Sequence, residues 1–122
     1  MATAERIDLA AKFASFDKHW SSKAIEKVDG YDIKLVKIKG EFVWHKHDDE
    51  DEMFLVVKGG FRMEFRDRSV DMAAGQIIVV PKGVEHRPCA EHECEIVLFE
   101  RAGVVNTGDA ARNVLTNPTE RI

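Results

Sequence analysis

The stretch Gly40-Glu41-Phe42-Val43-Trp44-His45-Lys46-His47-Asp48-Asp49-Glu50-Asp51-Glu52, followed by an apolar run that stops at Gly59, decides how this chain of 122 residues is read. His45 and His47 are two apart. On extended backbone, residues i and i+2 point to the same side, so both imidazoles project together and Trp44 and Lys46 point the other way. Glu52 heads the next strand, and an antiparallel return over a short acidic turn brings its carboxylate beside the two rings. Glu50 is its rival. Glu52 is preferred because it shares a face with Phe54 and Val56, leaving Asp48, Asp49 and Asp51 as rim charges. Nitrogen and oxygen donors of this kind suit one divalent transition metal without choosing among Fe, Mn, Zn, Ni or Cu.

A fourth donor comes from further along. Gly75, Pro81, Gly83 and His86 are spaced so that Pro81 ends a strand, Gly83 permits a tight turn, and the chain re-enters the fold at His86 pointing inward. Outward from these two segments the chain reads as short strands between turns. Lys23 to Val28 and Tyr31 to Lys39 flank Asp29-Gly30, a hairpin signal because a type I′ turn needs positive φ at both central residues. Phe61 to Arg66 alternates apolar and charged residues. Val70 to Met72, Ile77 to Val80 and Glu95 to Glu100 complete the strands. Ahead of them, Asp8 to Phe16 predicts a short helix with Leu9, Phe13 and Phe16 on one face. The tail from Arg101 reads as partly loop, and Asn106-Thr107-Gly108 reads as a turn without a role. Many short strands of this kind make a sandwich or barrel.

These residues carry a family resemblance. Gly40 to Gly59 resembles the first cupin motif: a glycine, His-x-His, Glu after three or four residues, then Gly after six more. Gly75 to His86 resembles the second. Four residues separate Gly40 from His45 where the family usually has five, and Ala90 stands where it usually has Asn. The resemblance, to small single-domain cupins similar to mannose-6-phosphate isomerase, implies an all-β fold, a double-stranded β-helix of the jelly-roll kind with a short N-terminal helix. It implies one domain over residues 1–122, with the core barrel about 22–101 and the motifs at 40–59 and 75–90. His45, His47, Glu52 and His86 are then the metal ligands. Phe54, Phe61, Met63 and Phe65 are expected to line the pocket.

A shell of three histidines and one carboxylate leaves open positions on the metal, the mark of a catalytic rather than a sealed site. The leading expectation is a metal-dependent enzyme acting on a small molecule, with dioxygenase-type chemistry on an enol, diketone or aromatic compound. The alternatives are a sugar-phosphate isomerase or epimerase, for which Arg66, Lys82 and Arg87 form no convincing phosphate clamp, and a non-catalytic ligand-binding cupin.

Composition narrows the partners. The formal charge is -4 and no Lys/Arg cluster is present, so neither nucleic acid nor an anionic membrane surface is expected. No apolar run approaches the roughly 18 residues of a membrane span, and Met1 to Arg6 lacks the apolar core of a signal peptide. Cys89 and Cys94 make no disulfide framework, and a cytoplasmic location is the default. His19 and His92 read as surface histidines. Met53 to Val57, Ile77 to Val80 and Ile96 to Phe99 are apolar on both faces, which asks for cover on an outer sheet face and predicts a homodimer.

Overall fold

The computed structural model describes residues 3–122. One helix, α1 (Leu9–Ala14), precedes the strands β1 (Lys23–Val28), β2 (Tyr31–Glu41), β3 (Glu52–Lys58), β4 (Gly60–Glu64), β5 (Ser69–Ala73), β6 (Ile77–Val80), β7 (Arg87–Arg101) and β8 (Glu120–Arg121). Their neighbour order is β5-β4-β7-β2-β1-β8, with β3 joined to both β7 and β6. This is the all-β jelly-roll architecture expected from the motifs.

β7 organises the molecule. Along one edge it pairs with β2 from Glu41↔Cys89 to Tyr31↔Arg101. On the other edge its first residues pair with β4 and its second half pairs with β3. The β1–β2 hairpin turns at Asp29 (φ 48°) and Gly30 (φ 81°), both in the left-handed region that a type I′ turn requires.

Side chains alternate across these strands as the pleat dictates. Val36 and Ile38 of β2, Phe54 and Val56 of β3, Phe61 and Met63 of β4, and Ile96 and Leu98 of β7 face one shared core. The opposite face of β1, β2 and β7 presents Ile25, Leu35 and Val97 to Phe13. α1 has only six residues, too few to be stable alone. It is held by Phe13, 2% exposed, whose burial stabilises by about 2 kcal/mol. Its start is fixed by the Asp8 carboxylate, which accepts from the Ala11 N–H at 3.3 Å.

The N-terminal segment therefore supplies part of the cover that the two-sided strands called for. Ile77 and Val79 of β6 stay open to solvent, 60% and 52% exposed. Among the described residues no helix is long and apolar enough to cross a membrane.

The chain beyond β7 packs as a strap across the His45–His47 segment. The Lys46 N–H donates to the Asp109 carboxylate at 2.8 Å, and the Asp109 N–H donates to the Lys46 carbonyl at 3.1 Å. The side-chain amides of Asn106 and Asn117 both donate to the Trp20 carbonyl, at 3.2 and 3.1 Å. A Cβ at Gly108 would collide with the Lys46 carbonyl and come within 3.1 Å of His45 Cδ2, so only glycine fits there.

Candidate metal centre

Residues 42–51 form no regular strand, yet alternation survives: His45 and His47 are buried, and Trp44 and Lys46 are half-buried between and beside them. Two backbone hydrogen bonds explain this. The His45 N–H donates to the His86 carbonyl at 3.1 Å, and the His86 N–H donates back to the His45 carbonyl at 2.9 Å. This isolated antiparallel bridge fixes the two motifs to each other. The Gly83 N–H donates to the His47 carbonyl at 2.8 Å, which ties the turn before His86 to the same segment. Glu52 arrives at the head of β3, cross-strand from Val80 on one side and Glu100 on the other.

The four side chains converge. One donor atom from each of His45, His47, Glu52 and His86 can be chosen so that all lie within 4.8 Å of one another, and all four residues are buried. The Glu52 Oε1 atom is 3.5 Å from His47 Nε2 and 3.4 Å from His86 Nε2. None of these three atoms has a hydrogen-bond partner among the described residues. Donors at ~2.1 Å from one metal ion are separated by roughly 3–4 Å, and the two Glu52–histidine distances fall in that range.

The far nitrogens are engaged as such a centre requires. His45 Nδ1 is 2.9 Å from the Val43 carbonyl and His86 Nδ1 is 2.9 Å from the Val84 carbonyl. A carbonyl only accepts, so each Nδ1 carries the proton and each Nε2 presents a lone pair to the centre.

Electrostatics agree. Burial, reinforced by the neighbouring His86, lowers the His45 imidazole from 6.5 to about 4, so the ring is neutral at pH 7. Burial acts on His47 in the same sense, but the Glu52 carboxylate overrides it and leaves that ring raised. Glu52 is opposed by burial too, yet His47 and His86 hold it well below the usual carboxylate range. It is a carboxylate ready to bind a cation.

Beside the centre is a cavity of about 40 Å³, room for about three waters. Its walls include Trp20, Val36, Ile38, Phe42, Phe54, Ile96 and Leu98, and its polar groups come from Ser22, His45, Glu52, Glu100 and Asn106. Trp20 stacks on Phe42 with centroids 4.5 Å apart, and Phe42 meets His45 edge-on at 5.2 Å.

The cupin-domain family model matches residues 34–100, more than half of the chain and the segment that contains all four donors. This chain is a cupin. The uncharacterised protein YdbB of Bacillus subtilis is 32% identical over 95 residues, covering 69% of this chain and 83% of its own. Among solved structures, a cupin-2 domain containing protein from Shewanella frigidimarina superposes with a TM-score of 0.77 at 46% identity, covering 78% of this chain and 93% of that one. A Neisseria meningitidis protein superposes with a TM-score of 0.74 at 34% identity, covering 80% and 100%. More distant likenesses, among them KdgF from a Halomonas species at 23% identity, show the fold alone.

In this cupin the pocket differs from the sequence expectation. Of Phe54, Phe61, Met63 and Phe65, Phe54 is the one on the cavity wall. Phe61 and Met63 do point inward, but β4 pairs with the opening residues of β7 and with β5, so their side chains join Met72 in the close-packed core. Phe65, just past the end of β4, is half-buried on an outer groove with Arg66 and Ile78. Trp20, Phe42, Glu100 and Asn106 were not anticipated. Phe42 sits within the first motif, but three residues from His45 strict alternation would place it on the face of Trp44, so its spacing gave no signal. Trp20 and Asn106 reach the cavity from outside both motifs, through long-range packing that no local pattern announces.

Arg66, Arg87, His19, His92 and Asp51 lie away from the cavity. Arg87 and Arg66 flank the outward face of Trp44, at 5.2 and 4.0 Å from the ring centre. Arg87 is paired with Glu64 at 2.6 Å and Arg66 with Glu85 at 3.3 Å. His92 is exposed, and His19 is half-buried with Nε2 2.7 Å from Glu93. Asp51 accepts from the Lys82 N–H at 2.9 Å and shapes the rim. Cys89 and Cys94 are free and buried, and burial raises the Cys94 thiol to about 11, which makes it unreactive.

Proposed function

We propose that this cupin is a metal-dependent enzyme acting on a small uncharged molecule, with His45, His47, Glu52 and His86 holding one divalent transition metal. The observation that carries the reading is the convergence of four buried donors, three of them otherwise unpartnered, at the edge of an apolar cavity. An unpaired buried polar atom costs about 1–3 kcal/mol, and a charged one more; three at one point ask for a cation.

The metal would supply Lewis acidity or, as Fe(II), a binding position for dioxygen. The protein's part is visible without it. The Val43 and Val84 carbonyls fix the tautomers of His45 and His86, Trp20 and Phe42 give the cavity an aromatic wall, and Glu52 balances charge. A mostly apolar chamber favours dioxygenase-type chemistry on an enol, diketone or aromatic compound over handling of a sugar phosphate. None of the described lining residues is Arg or Lys, and Arg66 and Arg87 are committed to carboxylates and Trp44 on the outer surface. A cytoplasmic location forms part of this proposal, supported by the two free thiols. So does a homodimer, supported by the open Ile77 and Val79.

The test is oxygen consumption by iron-loaded protein across a panel of small enols, diketones and catechols. Uptake with one class and none without substrate supports the proposal. No uptake with any member, together with tight binding of one of them, would favour a non-catalytic binding cupin.

A further inference from the structure

Glu100 stands on the cavity wall beside Glu52 without being one of the four converging donors. Glu100 is 2% exposed, and its Oε1 accepts from Lys34 Nζ at 3.0 Å, a lysine itself 1% exposed. Its Oε2 has no hydrogen-bond partner among the described residues. Glu100 lies directly cross-strand from Glu52 in the β3–β7 register and lines the same cavity. Residues opposite each other on one face have Cβ atoms about 5 Å apart, so a molecule touching the metal side of the cavity is within reach of Glu100 as well.

Resting on the metal-centre reading, we infer that Glu100 is a second anchor for the bound molecule: it takes a hydroxyl of a small neutral hydroxy-carbonyl compound whose carbonyl faces His45, His47, Glu52 and His86. Four observations set the class. The free oxygen needs a polar partner, and a hydroxyl both donates and accepts, so it serves a carboxyl oxygen in either protonation state. The cross-strand spacing puts the two anchors a few bonds apart on one ligand. Carboxyl groups at positions Glu52 and Glu100 disfavour an anion. The apolar walls carry no Arg or Lys to hold a phosphate, and the room of about 40 Å³ favours a small ligand.

Lys34 is a positioning residue here. It holds Oε1, which leaves Oε2 as the atom that faces a ligand. The pair has the buried geometry in which loss of one partner is costly while replacement of both by apolar groups is tolerated. The test therefore uses the double variant Lys34→Met/Glu100→Met, with Glu100→Gln as a hydrogen-bonding isostere. Zinc-loaded proteins are titrated calorimetrically with hydroxyacetone and with methoxyacetone, in which a methyl group replaces the hydroxyl hydrogen.

Wild type is expected to bind hydroxyacetone at least tenfold more tightly than methoxyacetone. Glu100→Gln should keep a preference, and the double variant should bind the two within twofold while still holding one zinc per chain. A full wild-type preference in the double variant, or no discrimination by wild type, overturns the assignment of Glu100 and leaves the metal centre standing. Failure of wild type to hold zinc overturns the centre itself, and the inference with it.

Discussion

Replacing Lys34 by Met should expose how much this fold depends on one buried pair. Lys34 Nζ and Glu100 Oε1 are 3.0 Å apart, and the two side chains are 1% and 2% exposed. Solvent cannot compensate either one. Removing the lysine strands Glu100 beside Glu52, its cross-strand neighbour. Breaking a pair this deep costs about 3–5 kcal/mol. For a chain of this length, each kcal/mol moves the melting temperature by about 3–5 °C, so the single variant should melt roughly 10–20 °C lower. Substituting both residues by Met removes the stranded charge and restores apolar packing, so the double variant should return to within about 1 kcal/mol of wild type.

The sign with pH follows from the same geometry. Burial, with Glu52 adding to it, already pushes Glu100 well above the usual carboxylate range, against the pull of Lys34. Without that pull the folded-state value rises further. A carboxyl raised by folding binds its proton in the native state and not in the unfolded chain. Its contribution is present below the unfolded value and is lost as pH climbs through the folded one. The gap between wild type and Lys34→Met should therefore widen from pH 5 to pH 8. The assay is urea unfolding of chelator-treated protein at both pH values. A single-variant loss below about 1 kcal/mol, or a double variant as unstable as the single, would refute the reasoning.

Three further expectations concern other parts of the molecule. In metal-free protein, lowering of the His45 imidazole from 6.5 to about 4 means the unfolded chain alone binds that proton between those values. At ~1.4 kcal/mol per unit, up to about 3 kcal/mol is lost as pH falls through the window; a His45→Gln variant should lose correspondingly less in the same melts, and an unchanged slope would contradict the assignment. Gly108→Ala places a methyl against Lys46 and His45 at φ +54°, and should cost about 2 kcal/mol or more; an unchanged urea midpoint would show that the strap does not press on the site. Open Ile77 and Val79 on β6, a strand whose one pairing is with β3, predict light scattering at about twice the 13.8 kDa chain mass and a monomer for the Ile77→Lys/Val79→Lys variant; a monomeric wild type would count against the homodimer.

Much of the fold was legible because its signals are local. Asp29-Gly30 needs two positive φ angles and has them. His45 and His47 share a side because two residues of extended backbone put them there, and the turn at Gly83 feeds His86 back inward as its spacing implied. β7 was less legible. The sequence suggested a strand over Glu95 to Glu100, whereas the strand begins at Arg87. Pro88 and the exposed Glu91, His92 and Glu93 disguise its first half, which is held by β2 and β4 rather than by its own alternation. The cavity was the least legible part. Glu100 reads as the last charged residue of a strand, and nothing local shows that Lys34, sixty-six positions earlier, neutralises it inside the barrel. Trp20 and Asn106 meet through side-chain-to-backbone bonds spanning most of the chain, which periodicity does not reveal.

The most direct measurement is the metal content of untagged protein, purified without added metal, for the native chain and for His86→Ala side by side. Mass spectrometry of digested samples should find close to one transition-metal ion per native chain and almost none in the variant, with circular dichroism confirming that both are folded. Equal metal in the two, or none in either after incubation with Fe(II), Mn(II), Zn(II) and Ni(II) in turn, would mean that the three imidazoles and the carboxylate do not make a metal centre.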